Sequence, residues 1–268
     1  MKDFKIEDWS LGSDAEMFLL DRETNEVING KKFVKGSKDN PYNFDKSSPF
    51  WCTSLDGISA EFNIAPCTTS KEWNAAFEKC ITYINSTLPP NLCTIHTPAV
   101  RVNPKELRTK EARNSGCTPS WSAYSLRENH PPDVSVTTLR TCCTHVHMKY
   151  KDMRFHEAAE WIKAMDLFLG VPSLIIEPMN ERRMLYGTLG EMRFNSTVEY
   201  RVLSSFFSQS EELRTWVFNN TVNAINWINE GNRVSEEMHQ SFEQAMATND
   251  VDLVRMIIEE NNIPMPSI

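Results

Sequence analysis

The sequence predicts an α+β domain in which helices pack on the outer face of a mostly antiparallel sheet. Short segments with apolar residues at every second position recur along the chain, which is the period of a half-buried strand. Between and after them stand stretches with apolar residues at helical spacing. No internal repeat or low-complexity tract divides the 268 residues, so we read 1–268 as one domain, long enough to bury a core.

Each element has its own justification. Residues 14–21 and 58–64 alternate polar with apolar and read as strands. In "KEWNAAFEKCITYI", Trp73, Ala76, Phe77, Cys80, Ile81 and Ile84 form one apolar stripe and predict a helix. Residues 86–133 are rich in proline and poor in periodicity, and read as a long excursion or flap. A strand is expected at 143–149, then a helix over "FHEAAEWIKAMDLFLG" with Gly170 as its C-cap. Strands follow at 191–194 and 198–203. The remainder, 204–268, reads as C-terminal helices, over about 211–229 and 235–261, the second broken near Thr248-Asn249. Trp161, Trp216 and Trp227 fall at helical spacings and read as core.

Composition excludes several functions. A 40% hydrophobic and 24% charged chain is ordinary for a soluble protein. A formal charge of −8, with no basic run, argues against a grip on nucleic acid phosphates or on an anionic membrane. The start, MKDFKIEDW, lacks an apolar leader core, and the longest apolar stretch, Leu167 to Ile176, is interrupted by Gly170 and Pro172. The seven cysteines include no C-x-x-C, so reduced thiols in a cytoplasm are expected. Nothing beside Cys117 in "NSGCTPSW" argues for a nucleophile.

The informative pattern is a series of polar pairs two residues apart: Asp14/Glu16, Glu61/Asn63 (with Asp56 upstream at an Asp-Gly turn), His145/His147, Glu191/Arg193 and Glu199/Arg201. The residues between them are mostly apolar, among them Ala15, Phe62, Val146 and Tyr200, so each strand has one face for a core and one for chemistry. Solvated faces draw on Lys, Thr, Ser and Gln; these pairs contain none of them. If the polar faces converge, Asp14, Glu16, Asp56, Glu61 and Glu199 require cations. Oxygen-rich ligation suits Mg²⁺ or Mn²⁺, and His145 adds a nitrogen. Arg193 and Arg201 carry guanidinium forks that fit phosphate oxygens. The set describes a site for magnesium and a nucleotide triphosphate, with neither a Walker A sequence nor a kinase-type Gly-rich loop.

Four of these segments, in order, resemble the glutamine synthetase and glutamate-cysteine ligase type of carboxylate-amine ligases. "GSDAEMFLLD" is similar to the strand with two metal-binding glutamates, "DGISAEFNIAP" to the segment supplying further acids, "CTHVHMKY" to the H-x-H strand and "TVEYRVLSS" to the late E-x-R strand. With "LYGTLGEMRFNSTVEYRVLSSF" the chain most resembles the phage-type COOH-NH2 ligases, type 2. The resemblance implies a glutamine synthetase-like catalytic fold and an ATP-dependent ligase that joins a small-molecule or peptide carboxylate to an amine through an acyl phosphate. It implies Glu16 and Glu61 on one metal, helped by Asp56, and Asp14, His145 and Glu199 on a second. It places His147 near ATP phosphates, Arg182 and Arg183 at ATP or a substrate carboxylate, and Arg193 and Arg201 at the transferring phosphoryl group, with Glu191 grouped beside them as catalytic. Asn63, Cys117 and Tyr186 are candidates for the substrate side.

Three departures stand out: Asp14 replaces a glutamate, Cys143-Thr144 replaces a Gly-rich approach, and "GCTPSW" lacks acids that often follow the Gly-Cys. An oligomer is compatible with the resemblance. The rival readings are a guanidino-kinase-like phosphotransferase and a non-catalytic phage binding protein on a degenerate ligase fold.

Overall fold

The computed structural model describes residues 4–113, 119–130 and 133–267. Its strands are β1 (Ser10–Asp21), β2 (Glu26–Ile28), β3 (Gly36–Ser37), β4 (Asn40–Asn43), β5 (Cys52–Asp56), β6 (Ser59–Asn63), β7 (Leu92–Ile95), β8 (Ala99–Arg101), β9 (Ser120–Ser122), β10 (Glu128–Asn129), β11 (Leu139–Thr141), β12 (Thr144–Lys149), β13 (Glu191–Phe194) and β14 (Val198–Tyr200). Its helices are α1 (Ser70–Thr87), α2 (Lys110–Arg113), α3 (Phe155–Met165), α4 (Ser173–Ile176), α5 (Glu211–Asn229), α6 (Glu236–Thr248) and α7 (Val251–Glu260). The architecture is α+β with a large, mostly antiparallel sheet. Its main path runs β10-β9-β13-β14-β12-β1-β6-β5-β3-β4, and among the described residues only the pairing of β3 with β5 is parallel.

Strand β1 is central because its two halves serve different neighbours. It pairs with β12 over residues 10–15 and with β6 over residues 14–17, with Leu11, Ala15 and Met17 facing the main core. Beyond Met17 it pairs instead with β7 and β2. There both faces are covered: Leu19 enters the main core, while Phe18 packs with Val27, Ile58, Val102 and Cys142 in a second cluster. This is why period-two alternation stops at Met17-Phe18-Leu19, all fully buried.

The back of the site-bearing strands holds Ala60, Phe62, Val146, Met148, Met192, Val198 and Tyr200, in one cluster with Trp73 and Phe77 of α1, Trp161 of α3 and Trp216 of α5. Trp227 packs against its edge. Helix α1 starts at a capping box: the Glu72 backbone N–H donates to Thr69 Oγ1 (3.2 Å), and Thr69 N–H donates back to the Glu72 carboxylate (3.2 Å). The break expected near Thr248-Asn249 is present, with Asn249 in the left-handed region at φ 50°.

Two expectations differ from the structure. Gly170 does not cap a helix: α3 runs into a π-helical turn over Asp166–Gly170, and the next residue is still right-handed helical. A Cβ at position 170 would stand 2.6 Å from the Tyr200 hydroxyl and 2.9 Å from Asp166 Oδ1, so glycine is required by close packing. That packing surrounds Asp166, which accepts hydrogen bonds from Tyr200 Oη (2.8 Å) and Tyr124 Oη (3.0 Å). The described residues of 86–133 also carry more secondary structure than a flap. Their β7 extends the second half of β1, β9 joins β13 in the main sheet, and β8 pairs with β11. Prolines such as Pro98 and Pro104 fall between these short strands, which hid their alternation.

Because Phe62 is fully buried behind Glu61 and meets Phe77 edge-on at 5.6 Å, Phe62→Ala should destabilise the protein by about 3–5 kcal/mol in denaturant unfolding. A loss below about 1 kcal/mol would show that this face does not carry the fold.

Candidate functional site

The opposite face of the same strands gathers the polar pairs. Register brings them together: Asp14 lies opposite His145 on one side and Asn63 on the other, and Glu16 opposite Glu61. His147 lies opposite Glu199, which in turn lies opposite Arg193. Ser54, opposite Glu61, and Asp56 extend the row on β5.

Within this row, Asp14, His145, His147 and Glu199 each offer a ligand atom, all within 4.8 Å of one another. His145 Nδ1 is 2.8 Å from Asp14 Oδ1 and 3.2 Å from Glu199 Oε1, and His147 Nε2 is 3.1 Å from Asp14 Oδ1. His145 Nε2 is buried and makes no hydrogen bond, so it has a lone pair to offer, while His147 Nε2 is held by Asp14 and becomes a ligand only when it gives up its proton. Two imidazoles and two carboxylates fit a divalent cation, and this mixed set suits Mn²⁺ better than Mg²⁺. Glu199 is the hub: it accepts from Arg193 Nη1 at 3.3 Å and from Arg201 Nη1. Burial works to raise its carboxyl pKa, but His145 and Arg201 together hold it below the usual range. Asp14 behaves alike, desolvated yet held well down by His145 and His147. For His147, burial opposes charge, but the Asp14 carboxylate lifts it to about 8.

The other acids form a different environment. Burial, then repulsion from Asp56 and Glu61, pushes Glu16 well above the usual carboxyl range. Burial, then Asp14 and Asp56, pushes Glu61 up to about 7. One oxygen of each is satisfied: Cys143 N–H donates to Glu16 Oε2 (2.9 Å) and Ser54 Oγ to Glu61 Oε2 (3.0 Å). The cation beside them is Lys38, with Nζ 2.7 Å from Asp56 Oδ2. Ser54 belongs to the same two-residue pattern as Asp56 and would have been found had Cys52–Asp56 been read as a strand. Lys38 sits in a short turn and left no signal.

Other candidates are placed as follows. Glu191 is buried at the edge of the row, accepting from Ser120 Oγ (3.0 Å) and Gly187 N–H (2.7 Å), with Arg201 Nε 3.7 Å away. It therefore orients Arg201. Arg182 is corrected to an internal clamp: fully buried, it donates to the carbonyls of Val202 (2.9 Å), Arg201 (3.2 Å) and Leu203 (2.8 Å), fixing the strand end that carries Arg201. Arg183 is likewise internal, donating to Ser173 Oγ (2.7 Å) near Glu177, because no strand register brings the Arg182-Arg183 turn onto the polar face. Tyr186 is buried, its backbone N–H donating to the Arg182 carbonyl (2.7 Å). Cys117 lies outside the described residues. A cavity of about 460 Å³ opens beside the row, lined by Gly12, Asn63, His147, Phe50 and Thr197.

No protein-family model and no curated protein matches the sequence. Among solved structures, the chain is similar to a bifunctional glutathione synthetase from Pasteurella multocida, with a TM-score of 0.48 and 9% identity. The alignment covers 96% of this chain and 46% of that one, so this chain spans less than half of that protein's length. Similarity of that order assigns no chemistry. Among the described residues, no helix is long and apolar enough to cross a membrane, and six cysteines are free.

Two outcomes follow from the charges. In the metal-free protein His147 holds its proton below about pH 8, and a cation must displace it. Mn²⁺ affinity should rise about tenfold per pH unit below 8 and level off above, with His147→Ala removing the slope in a titration followed by electron paramagnetic resonance. Glu61 has a folded pKa near 7 against an ordinary 4.5, so the folded state binds the extra proton between those values and stability falls as pH rises through that window. Glu61→Gln should therefore stabilise the metal-free protein above about pH 7, by up to ~3 kcal/mol, with no gain below about pH 4.5, as read from melts across pH.

Proposed function

We propose that the chain is an ATP-dependent carboxylate-amine ligase with a glutamine synthetase-like catalytic sheet, of the kind represented by the phage-type COOH-NH2 ligases, type 2. One observation carries the reading: a four-ligand cluster of Asp14, His145, His147 and Glu199 lies on the same sheet face as two guanidinium groups that converge on Glu199. Acids alone would suit a stray cation. Acids, imidazoles and paired arginines together suit a polyphosphate held on a metal.

A divalent cation, Mg²⁺ or Mn²⁺, held by the four ligands would neutralise phosphate oxygens and orient the γ-phosphoryl group of ATP. The chain's own residues do the rest. Arg193 is the guanidinium with room to reach a phosphate, its side chain 24% exposed against 4% for Arg201. Arg201, braced by Glu191 and by the Arg182 clamp behind it, fixes Glu199 in place. The cavity beside Asn63 and His147 receives the carboxylate substrate, whose oxygen attacks the γ-phosphorus as ADP leaves. The acyl phosphate is then opened by an amine, which loses a proton as inorganic phosphate departs. The substrates are a small-molecule or peptide carboxylate and an amine, and a cytoplasmic setting supplies the ATP.

The test is a screen of carboxylate and amine pairs for phosphate release from ATP, with the amide identified by mass spectrometry. A phosphorylated amine without free phosphate would replace the reading with a phosphotransferase, and no calorimetric binding of ATP with Mn²⁺ would replace it with a binding protein. Arg193→Ala should lower kcat about 100- to 1000-fold. Its melting temperature should stay near wild type, because the side chain is partly exposed. Turnover within about twofold of wild type would remove Arg193 from the mechanism.

A further inference from the structure

We propose that Lys38 is a resident cation in the Glu16–Asp56–Glu61 cluster, and that it limits the site to a single metal ion. The inference deepens the ligase reading, which resembles enzymes with two metal positions, but it stands on separate observations.

The two halves of the acidic row are neutralised by different means. In the Asp14 half, charge is met by two imidazoles and two guanidinium groups, and His145 Nε2 is buried without a hydrogen bond. The Glu16 half has no histidine. Its cation is brought by the backbone: Ser37 of β3 pairs in parallel with Leu55 of β5, which sets Lys38 beside Asp56. The ammonium lies 2.7 Å from Asp56 Oδ2, and the charges of Glu61 and Glu16 act on it too. An ammonium at that distance takes an Asp56 oxygen that a divalent ion would need, and a second cation beside it would meet strong repulsion.

Lys38 is also held so that it can be withdrawn. It stands in the connection between β3 and β4, the last two strands at one end of the sheet, and its side chain is 46% exposed against 11% for Asp56. A flexible ammonium that neutralises acids at rest can also follow a phosphate oxygen, which a fixed ion cannot do.

The experiment counts bound Mn²⁺ without nucleotide or substrate, by electron paramagnetic resonance and calorimetry, in wild type, Lys38→Met and Lys38→Arg. Wild type should bind one ion and Lys38→Met two, while Lys38→Arg, which keeps the charge, should bind one. Combining Lys38→Met with His147→Ala should weaken the first site and leave the new one. Equal counts in wild type and Lys38→Met, with both folded by circular dichroism, overturn the proposal, as do two ions in wild type. Lys38→Gln serves as the neutral variant if Lys38→Met aggregates. Because the count needs no turnover, the two readings fail separately. A rise from one to two with no ligase activity upholds Lys38 and sinks the ligase. Ligase activity with an unchanged count does the reverse.

Discussion

The pairing of β1 with β6 and β12 holds together groups that would otherwise separate. Glu16 faces Glu61 across one ladder, and Asp14 faces His145 across the other. Like charges directly opposite one another destabilise a sheet. The register survives because the intervening side chains, Ala15, Met17, Phe62 and Val146, are fully buried in a core with α1, α3 and α5. A one-residue slip would turn those apolar groups to the polar side and the acids into the core. Packing on one face therefore fixes the electrostatics of the other.

The site resolves its charge in two ways. Where imidazoles and guanidinium groups stand beside carboxylates, the acids are held ionised, as at Asp14 and Glu199. Where carboxylates face each other with one lysine, they are driven toward protonation, as at Glu16 and Glu61. Asp166, on the helical side, shows a third arrangement. Burial raises it to about 7 although two tyrosine hydroxyls stabilise its charged form. Tyr200 thus ties the helical layer to the strand that carries Glu199.

Arg182 and Arg183 show how position along the chain misleads. Their charge suggested an anion, yet burial has turned both inward to protein acceptors, where Arg182 closes three carbonyls at the end of β14. A buried guanidinium must find such partners, and only the fold decides whether they are carbonyls or a ligand. Gly170 makes the same point from the other side. It ends a helical pattern in sequence, but its smallness answers a contact with Tyr200, thirty residues away in the chain.

The sequence by itself determined the class of fold, the strands carrying the five polar pairs, the long helices and the face on which those pairs lie. Each of these follows from local periodicity, where side-chain direction is set by backbone geometry alone. Tertiary structure decided the rest. Strands β3, β5, β7 and β9 are short or interrupted, so their alternation was too brief to read, and with β3 and β5 went Lys38 and Ser54. The division of the acids into an imidazole-bearing cluster and a lysine-bearing one depends on which strands are neighbours. That neighbour relation is non-local, and no spacing along the chain encodes it.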